Sequence, residues 1–546
     1  MLLSNLNLLA TAPGGVAKLR ELILTLAVQG TLVPQNPKDE PASVLLKKIR
    51  AEKDRLIAEG KIKRDKPLTE IAEEEKPFAL PEGWEWVRLG TVTNISTGKL
   101  DANAAVANGQ YPFFTCSNTP LAIDRYSFEC SAVLLAGNGD FNLKHYTGKF
   151  DAYQRTYVIQ PILTNLKFLY FTLNKYIGVL TKNQRGSAIP YLKLGDITDP
   201  PIPIPPLAEQ SRIVTRVEEL MRLCDALEAK GQLEATQHAQ LVSTLLGTLT
   251  ESETPEELAD NWQRVATHFD LLLDRPEAVD ALEQTILQLA VRGLLVPQDP
   301  KDESTGELLT KIRGAKDKLI VAGKIKRDQS LLPIAEDEEP YAIPTGWKWV
   351  RLGDVSKVIS GYAFSSEDLA AESGIRAIKI TNAGVGEFHE TEDYLPPRYN
   401  IGFDNFKAAK NDLILALTRP YVSNGLKISR CPTSYEGALI NQRVAAIRCS
   451  SVIVHEFAFA YMQSADVLRI YQNRFNGSGL QPNLKVADVT ELALPLPPLA
   501  EQFRIVVRVA QLRRLCADLR QRLTAVSERQ SQLAQTLVEM QSTSTV

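Results

Sequence analysis

No uninterrupted apolar run in the 546 residues approaches the roughly 20 that a membrane-spanning helix needs. The opening stretch MLLSNLNLLATAPGG has no basic residue ahead of its apolar part, so it reads poorly as a secretory signal. The cytoplasm is the expected location. Metal-ligand spacing is missing as well. The six cysteines (Cys116, Cys130, Cys224, Cys431, Cys449, Cys516) form no CxxC pair, and the five histidines (His145, His238, His268, His389, His455) are scattered. Free thiols in a reducing compartment, and no metal, are the expectation. There is no Gly-x-x-x-x-Gly-Lys-Ser/Thr loop, so an ATP-driven motor is not expected. No Ser/His/Asp or Cys/His set stands ready to build a nucleophile.

A strong charge of one sign is also lacking, since 62 Lys and Arg against 65 Asp and Glu leave −3 overall. The distribution says more. Trp84 to Ile204 holds 11 basic and 8 acidic residues, Trp347 to Leu496 holds 16 and 15, and Thr250 to Gln284 holds 2 and 10. The acid is concentrated in one connecting segment. The other two stretches are neutral to mildly basic, which leaves nucleic-acid binding open without establishing it.

What the chain does have is a duplication. LAVQGTLVPQNPKDE from Leu26 matches LAVRGLLVPQDPKDE from Leu289, AEGKIKRD from Ala58 matches VAGKIKRD from Val321, and LPEGWEWVRLG from Leu80 matches IPTGWKWVRLG from Ile343, all at an offset of 263 residues. Downstream, IPIPPLAEQSRIV from Ile202 matches LPLPPLAEQFRIV from Leu494 at an offset of 292, so the second copy is 29 residues longer in between. A common frame therefore holds two inserts that resemble each other only weakly. The expected divisions are an N-terminal helical frame (1–83), a first insert (84–204), a central helical region (205–346), a second insert (347–496) and a C-terminal helix (497–546).

After each PPLAEQ the pattern turns helical, because the prolines stop the preceding strand. In the second copy Ile505, Val509, Leu512, Cys516, Leu519, Leu523 and Val526, then Leu533, Leu537 and Met540, recur at steps of 4 and 3, interrupted only at Gln530. This is a heptad seam. The first copy has Ile213, Val217, Leu220, Cys224 and Leu227, weakens at Gly231, Glu234 and His238, and recovers at Leu241 and Leu245. Two long helices packed as an antiparallel coiled-coil spacer are the expectation, with Cys224 and Cys516 as core thiols. The alternative is an apolar face laid on a globular core. The repeated stretch from Ser43 reads as an amphipathic helix with a basic end. Its cluster Lys61, Lys63, Arg64, and the copy Lys324, Lys326, Arg327, suit either phosphate or plain solvent, and the acidic runs Glu73–Glu75 and Glu336–Glu339 oppose phosphate.

The inserts have another texture. Short β-rich runs (SAVLLA, RTYVIQ, AIKIT, DLILAL, RVAAIR) alternate with Gly, Asn, Ser and Pro clusters, and each insert has one helix-like stretch, near Leu166–Leu180 and His455–Phe475. Two small α+β domains with variable loops on a rigid frame are expected, which is a recognition architecture.

GWxWVRLG before an insert and PLPPLAEQxRIV after it, both present twice and followed by helices, closely resemble the specificity subunits of type I restriction–modification enzymes. The resemblance spans nearly the whole chain. It implies two target-recognition domains on an antiparallel helical spacer with pseudo-twofold symmetry, a bipartite DNA target, two methyltransferase subunits and joined motor–nuclease subunits. It implies adenine N6-methylation by those partners, with S-adenosylmethionine, ATP and Mg bound there and no cofactor on this chain. The acidic stretch Thr250–Gln284 departs from the simplest pattern of the family.

Two fragments resemble catalytic motifs. Asp199-Pro200-Pro201-Ile202 approaches the (D/N)PP(Y/F) motif of amino-methyltransferases but lacks the aromatic that stacks on an extruded base. Phe475–Gly479 matches FxGxG but follows a helix-like stretch, and its counterpart Gln184–Ala188 is poor in glycine. Neither is expected to be catalytic. Base reading calls for Arg or Lys opposite guanine and Asn or Gln opposite adenine, on projecting loops. The candidates are Lys99, Asn118, Asn138, Lys144, Arg155 and Arg185 in the first insert, and Lys379, Arg419, Asn424, Lys427, Arg443 and Asn476 in the second. Ser187 and Ser478, in Gly-Ser turns that recur in both, suit phosphate. A scaffold presenting two protein-binding modules without DNA specificity is the competing reading, and a self-contained methyltransferase is the third.

Overall fold

This computed structural model describes residues 6–64, 66–186, 188–252, 254–311, 314, 331–370, 373–422, 425–474 and 482–543. The chain divides into two compact units, Met1–Ala235 with Val526–Val546, and Thr236–Ala525. In the first, α1 (Leu6–Thr11), α2 (Gly15–Val28) and α3 (Ala42–Ala58) precede β1 (Glu85–Arg88) and the one-turn α4 (Leu89–Val92). The insert follows as β2 (Thr93–Thr97), β3 (Tyr111–Phe114), β4 (Leu121–Ile123), β5 (Phe128–Ala136), β6 (Leu143–Ala152), β7 (Thr156–Pro161), α5 (Leu166–Leu180) and α6 (Leu194–Thr198). β8 (Pro201–Ile204) leads out into α7 (Leu207–Glu251). The second unit takes the end of α7, then α8 (Pro255–Thr267), α9 (Phe269–Leu272), α10 (Pro276–Val291), β9 (Lys348–Arg351) and α11 (Leu352–Val355). Its insert runs β10 (Ser356–Ser360), β11 (Ile375–Ile378), β12 (Tyr394–Leu395), β13 (Leu413–Ala416), β14 (Tyr421–Val422), β15 (Gly425–Leu426), β16 (Ile428–Arg430), β17 (Leu439–Ile440), β18 (Val444–Cys449), α12 (His455–Met462), α13 (Ala465–Arg474) and α14 (Val486–Thr490). β19 (Ala493–Leu496) leads into α15 (Leu499–Thr543).

The repeated motifs meet at one closure, made twice. β1 pairs antiparallel with β8, Glu85 opposite Ile204, and β9 pairs with β19, Lys348 opposite Leu496. The strand entering each insert is thus zipped to the strand leaving it. The indole Nε1 of Trp84 donates to Glu209 Oε2 at 3.1 Å, and that of Trp347 to Glu501 Oε2 at 2.9 Å, all four residues buried. This joins the GWxWVRLG motif of each copy to the Glu of its PPLAEQ. Burial pushes both carboxyls above the usual range, and the indole N–H pulls them partly back. The following Gln210 and Gln502 donate to Pro205 O and Pro497 O and accept from the backbone N–H of Asn165 and Val454. Arg88 reaches Glu75 and Asp199 O, and Arg351 reaches Glu338 and Glu491 O. One glutamate of each acidic run, Glu75 and Glu338, is therefore a clamp on a frame arginine. Each guanidinium, helped by a backbone N–H, holds its glutamate down at about 2. That contribution is present above the ordinary carboxylate range and lost as pH falls toward about 2. Arg212–Asp39 and Arg504–Asp302, both 2.6 Å, repeat as well. Gly30 and Gly293 end α2 and α10 at φ +73 and +75, and a Cβ there would lie 2.5 and 2.4 Å from Pro81 and Pro344.

The long helices have 45 residues each, about 68 Å at 1.5 Å per residue. α7 starts in the first unit and ends in the second; α15 does the reverse, so they are antiparallel. In the first unit Ile213, Val217 and Cys224 are buried and Leu220 and Leu227 half-buried, in one core with Leu19, Leu22 and Ile23 of α2 and Ala534 and Val538 of α15. In the second, Ile505, Val509 and Cys516 are buried and Leu512, Leu519 and Leu523 half-buried, with Leu282 and Ile286 of α10 and Val242, Leu246 and Leu249 of α7. Each seam thus has a frame helix as well as the other long helix for cover. Val526 of the expected seam is already 48% exposed, and downstream of Gln530 the buried face has moved on by one residue. Leu533 and Met540 are 55% and 53% exposed, while Ala534 and Val538 are buried. An α-helix drifts about 20° per heptad against a 3.5-residue repeat, so some five heptads shift the face by one position. The same happens in α7, where Leu241 is exposed and Val242 buried.

Frame pairing carries opposite charge in the two units. Arg20 of α2 bonds Asp225 and Glu228 of α7; at the equivalent place Glu283 of α10, with Asp280, bonds Arg520 of α15. A frame helix docked on the other copy's long helix would meet a like charge. The acidic stretch Thr250–Gln284 is thereby partly explained. Asp280 and Glu283 neutralise Arg520 and Arg513, Asp274 pairs with Arg275, and Glu256 and Glu257 sit in the first turn of α8 behind the N-cap Thr254.

Some expectations need correction. The helix from Ser43 ends at Ala58, so Lys61, Lys63 and Arg64 lie beyond it in an irregular segment, Lys61 paired to Glu59. Their copies Lys324, Lys326 and Arg327 fall outside the described residues. The helix-like stretch expected from His455 is two helices, His455–Met462 and Ala465–Arg474, broken at buried Ser464, whose Oγ caps the second through Val467 N–H. The Asp199–Ile202 fragment is frame: Ile202 is buried in β8 and Asp199 O receives Arg88. Phe475–Gly479 falls outside the described residues.

Trp84→Phe removes the donor to a buried carboxylate, a loss of about 1–3 kcal/mol, and the smaller ring adds a packing cost. Hydrogen exchange should accelerate at residues 85–88 and at Ile202 and Ile204, and stay unchanged at residues 348–351 and at Ala493, Leu494 and Leu496. Equal acceleration at both ladders, or none, would contradict the closure.

Candidate nucleic-acid interface

The two inserts share a sheet. Strands β2-β7-β5-β6 in the first and β10-β18-β13-β16 in the second are adjacent in the same antiparallel order. Thr93 and Ser356, offset by 263, start β2 and β10 and pair with Pro161 and Cys449. That is the end joined to the frame, since Ile162 N–H donates to Val92 O and Ser450 N–H to Val355 O. Thr97 and Ser360 mark the far end. Much of the extra length of the second copy lies between Ser360 and Leu413, where 52 residues stand against 35 between Thr97 and the equivalent Val133. They supply β11 and β12 of the separate sheet β12-β11-β17, whose third strand comes from Leu439–Ile440.

At the far end of each sheet three segments of dissimilar sequence are tied by the same backbone bonds. The loop leaving β5 receives a turn: Gly137 N–H donates to Arg155 O at 2.7 Å. In the second insert Leu417 N–H donates to Arg443 O at 2.9 Å. The turns close alike, Thr156 N–H to Tyr153 O and Val444 N–H to Asn441 O. They are also anchored alike, Gln154 N–H to Leu100 O and Gln442 N–H to Tyr362 O. A third segment docks through Gly139 N–H to Pro190 O and Leu192 N–H to Gly137 O, matched by Arg419 N–H to Pro482 O and Leu484 N–H to Leu417 O. Gly98 and Gly361, offset by 263, pass so close to this turn that a Cβ would lie 1.8 Å from Ala152 O and 2.1 Å from Asn441 O.

The candidates sort unevenly on this scaffold. Asn138, Arg155, Arg419 and Arg443 lie in the clusters, and Lys427 beside one, its carbonyl receiving Ala416 N–H. Arg155 and Arg443 are exposed at the turn. Arg419 stands at φ +49 where the first insert has Gly139 at +74. A non-glycine residue held there carries about 1–3 kcal/mol of strain. Asn138 is half-buried and its Oδ1 accepts from Cys116 Sγ. Arg185 belongs to the third segment, but its guanidinium is committed to Asp196 at 2.7 Å; Arg474 and Asp488 form the matching pair. Lys144 is no loop residue. It lies in β6 opposite Leu134, half-buried, reaching Asn142, and burial lowers its pKa. Lys379 is bonded to Asp393 at 2.6 Å. Lys99 and Asn118 are exposed in loops outside the cluster bonds. Ser187, Asn424, Asn476 and Ser478 lie outside the described residues. Two exposed residues went unnoticed, Gln154 and Gln442. The signal was present in the shared Gln-Arg of AYQRTYVI and INQRVAAI. Among the described residues no His, Cys, Asp or Glu group could hold a metal, and no helix is long and apolar enough to cross a membrane.

A duplicated closure with variable loop ends on matching sheets defines a recognition subunit. The model of the type I restriction modification DNA specificity domain matches residues 81–237 and 344–528, and the chain belongs to that family of specificity subunits. It is 37% identical to the Escherichia coli type I restriction enzyme EcoAI specificity subunit, over 96% of this chain and 93% of that one. It is 33% identical, over the same shares, to the EcoEI specificity subunit of Escherichia coli. A solved chain from work on complex assembly and conformational transition of the type I R-M system is 18% identical, with a TM-score of 0.50, covering 86% of this chain and 100% of that one. It supports the fold.

Gly98→Ala should free the first turn without touching the frame. Amides of Gln154 and Thr156 should then exchange faster in hydrogen-exchange measurements, with residues 85–88 as protected as before. Unchanged protection at Gln154 would mean that the close approach does not hold the turn.

Proposed function

We propose that this chain is the non-catalytic DNA-reading subunit of a restriction–modification complex, and that each insert reads one half of an asymmetric, two-part duplex site. The observation carrying this reading is the pair of far-end clusters: one backbone arrangement, presented on a duplicated frame, bearing different side chains. Asn138-Gly139-Asp140 occupies in one what Thr418-Arg419-Pro420 occupies in the other. DNA half-sites are read by modules whose separation is set by protein geometry, and dissimilar modules read dissimilar half-sites. The twofold repetition of the closure suits two copies of one partner, an adenine-N6 methyltransferase subunit, with motor–nuclease subunits joined to them. S-adenosylmethionine, ATP and Mg belong to those partners, and the complex works in the cytoplasm. Base methylation requires extruding the base from the stack, so a grip on the duplex beside the target is this chain's share of the reaction.

Selection of a random duplex library by the complex reconstituted with its methyltransferase partner should enrich two short specified segments separated by an unspecified gap of fixed length. No enriched two-part motif would favour the competing reading, a scaffold for two protein-binding modules. Arg419→Ala should weaken binding to the selected site by about 5- to 150-fold, the range for a good base contact, with little change on random DNA. Equal losses on both would reduce Arg419 to a phosphate contact.

A further inference from the structure

The inserts diverge in sequence almost everywhere that the frame does not require a residue, yet both keep Gln-Arg at the far-end turn. The fold accounts for the turn but not for those two side chains. All of the shared bonds there use backbone atoms: the amide N–H of Gln154 and Gln442 and the carbonyl of Arg155 and Arg443. Many residue types could supply those atoms. The four side chains are exposed. Gln154 makes one long contact, Nε2 to Asp101 Oδ2 at 3.4 Å. Arg155 and Arg443 have no side-chain hydrogen bond or ion pair among the described residues, unlike Arg185 and Arg474 nearby, each fixed to an aspartate. An amide and a free guanidinium, side by side on a turn pinned at both ends, are the two planar groups that match base edges bidentately, Gln on adenine N6 and N7, Arg on guanine O6 and N7. The pinning matters, because a base contact requires the side chain to leave from a fixed point.

We infer that the Gln-Arg turn is one reading element used twice, Gln154-Arg155 and Gln442-Arg443, and that the two half-sites share the base identity it reads. The neighbouring loops, which differ in sequence, read what distinguishes the half-sites. This rests on the reading of the chain as a DNA-recognition subunit. A shared element also has a geometric consequence. Because both turns leave equivalent strands at equivalent registers, the shared base must stand at matching positions of the two half-sites, counted from the gap.

The test is a library selection with the complete complex, comparing the native chain with Gln154→Ala, Gln442→Ala, Arg155→Ala and Arg443→Ala. The native chain should return two half-sites with a common A or G at matching positions. Gln154→Ala should relax that position in the first half-site alone, and Gln442→Ala the matching position in the second alone, each by roughly tenfold or more. The arginine variants should relax the same or the adjacent position. These residues are exposed, so folding should be retained, and unchanged enrichment of the untouched half-site checks this within each experiment. A native selection with two half-sites and no shared position would overturn the inference while leaving DNA recognition intact. So would variants that lose affinity on all sequences equally with their preferences unchanged, which is the mark of phosphate contact. A native selection with no motif at all would instead remove the underlying reading.

Discussion

The indole N–H of a buried tryptophan must find an acceptor, and in this chain the acceptor is a glutamate some 125 or 154 residues later, on the first turn of a long helix. That bond, with the two-stranded ladder beside it, brings the entry and exit of each insert to one place. The entropy of closing so long a loop is met once, by the frame, and the insert between is then relieved of any part in holding the frame together. A larger second insert changes nothing at its base. The Arg88 and Arg351 clamps, the Gln210 and Gln502 bonds and the Arg212–Asp39 and Arg504–Asp302 pairs all serve the same junction.

Two nearly identical frames in one chain create a hazard of mispairing, because α2 and α10 present similar apolar faces to similar long helices. The reversed ion pairs meet that hazard. These partly exposed bridges contribute little stability individually, but exchanging partners would set Arg20 against Arg520 and Glu283 against Glu228. Part of the acid concentrated after residue 250 is therefore the complement of a basic face on α15, which composition alone could not say.

The frame was legible in the sequence because duplication displays it: a residue kept at offsets of 263 and 292 in two otherwise drifting copies is one that the junction uses, and Trp84, Glu209, Arg88 and Gln210 each proved to have a bond. The helical seam was legible from Ile213 to Leu227 and from Ile505 to Leu523. It failed at Leu241 in α7 and from Val526 on in α15, where small angular drift had accumulated toward a whole residue. The far-end clusters were legible only in part. Arg155, Arg419 and Arg443 lie in them, but nothing local in the sequence told that Arg185 and Lys379 would be claimed by aspartates, or that Lys144 would lie in a strand. Those outcomes depend on contacts across the fold. Gln154 and Gln442 were missed because the inserts align too weakly for a two-residue identity to stand out until the hydrogen bonds superimpose them.

In the function proposed above, the frame is neutral to sequence and each insert reads by itself. This is tested most directly by a chain in which residues 347–496 are replaced by a second copy of residues 84–204, expressed with the methyltransferase partner, with the modified sites mapped across the host genome. Methylation should then appear at a new, symmetric site, the first half-site repeated in inverted orientation. Persistence of the original asymmetric site, or an assembled complex with no two-part site, would contradict it.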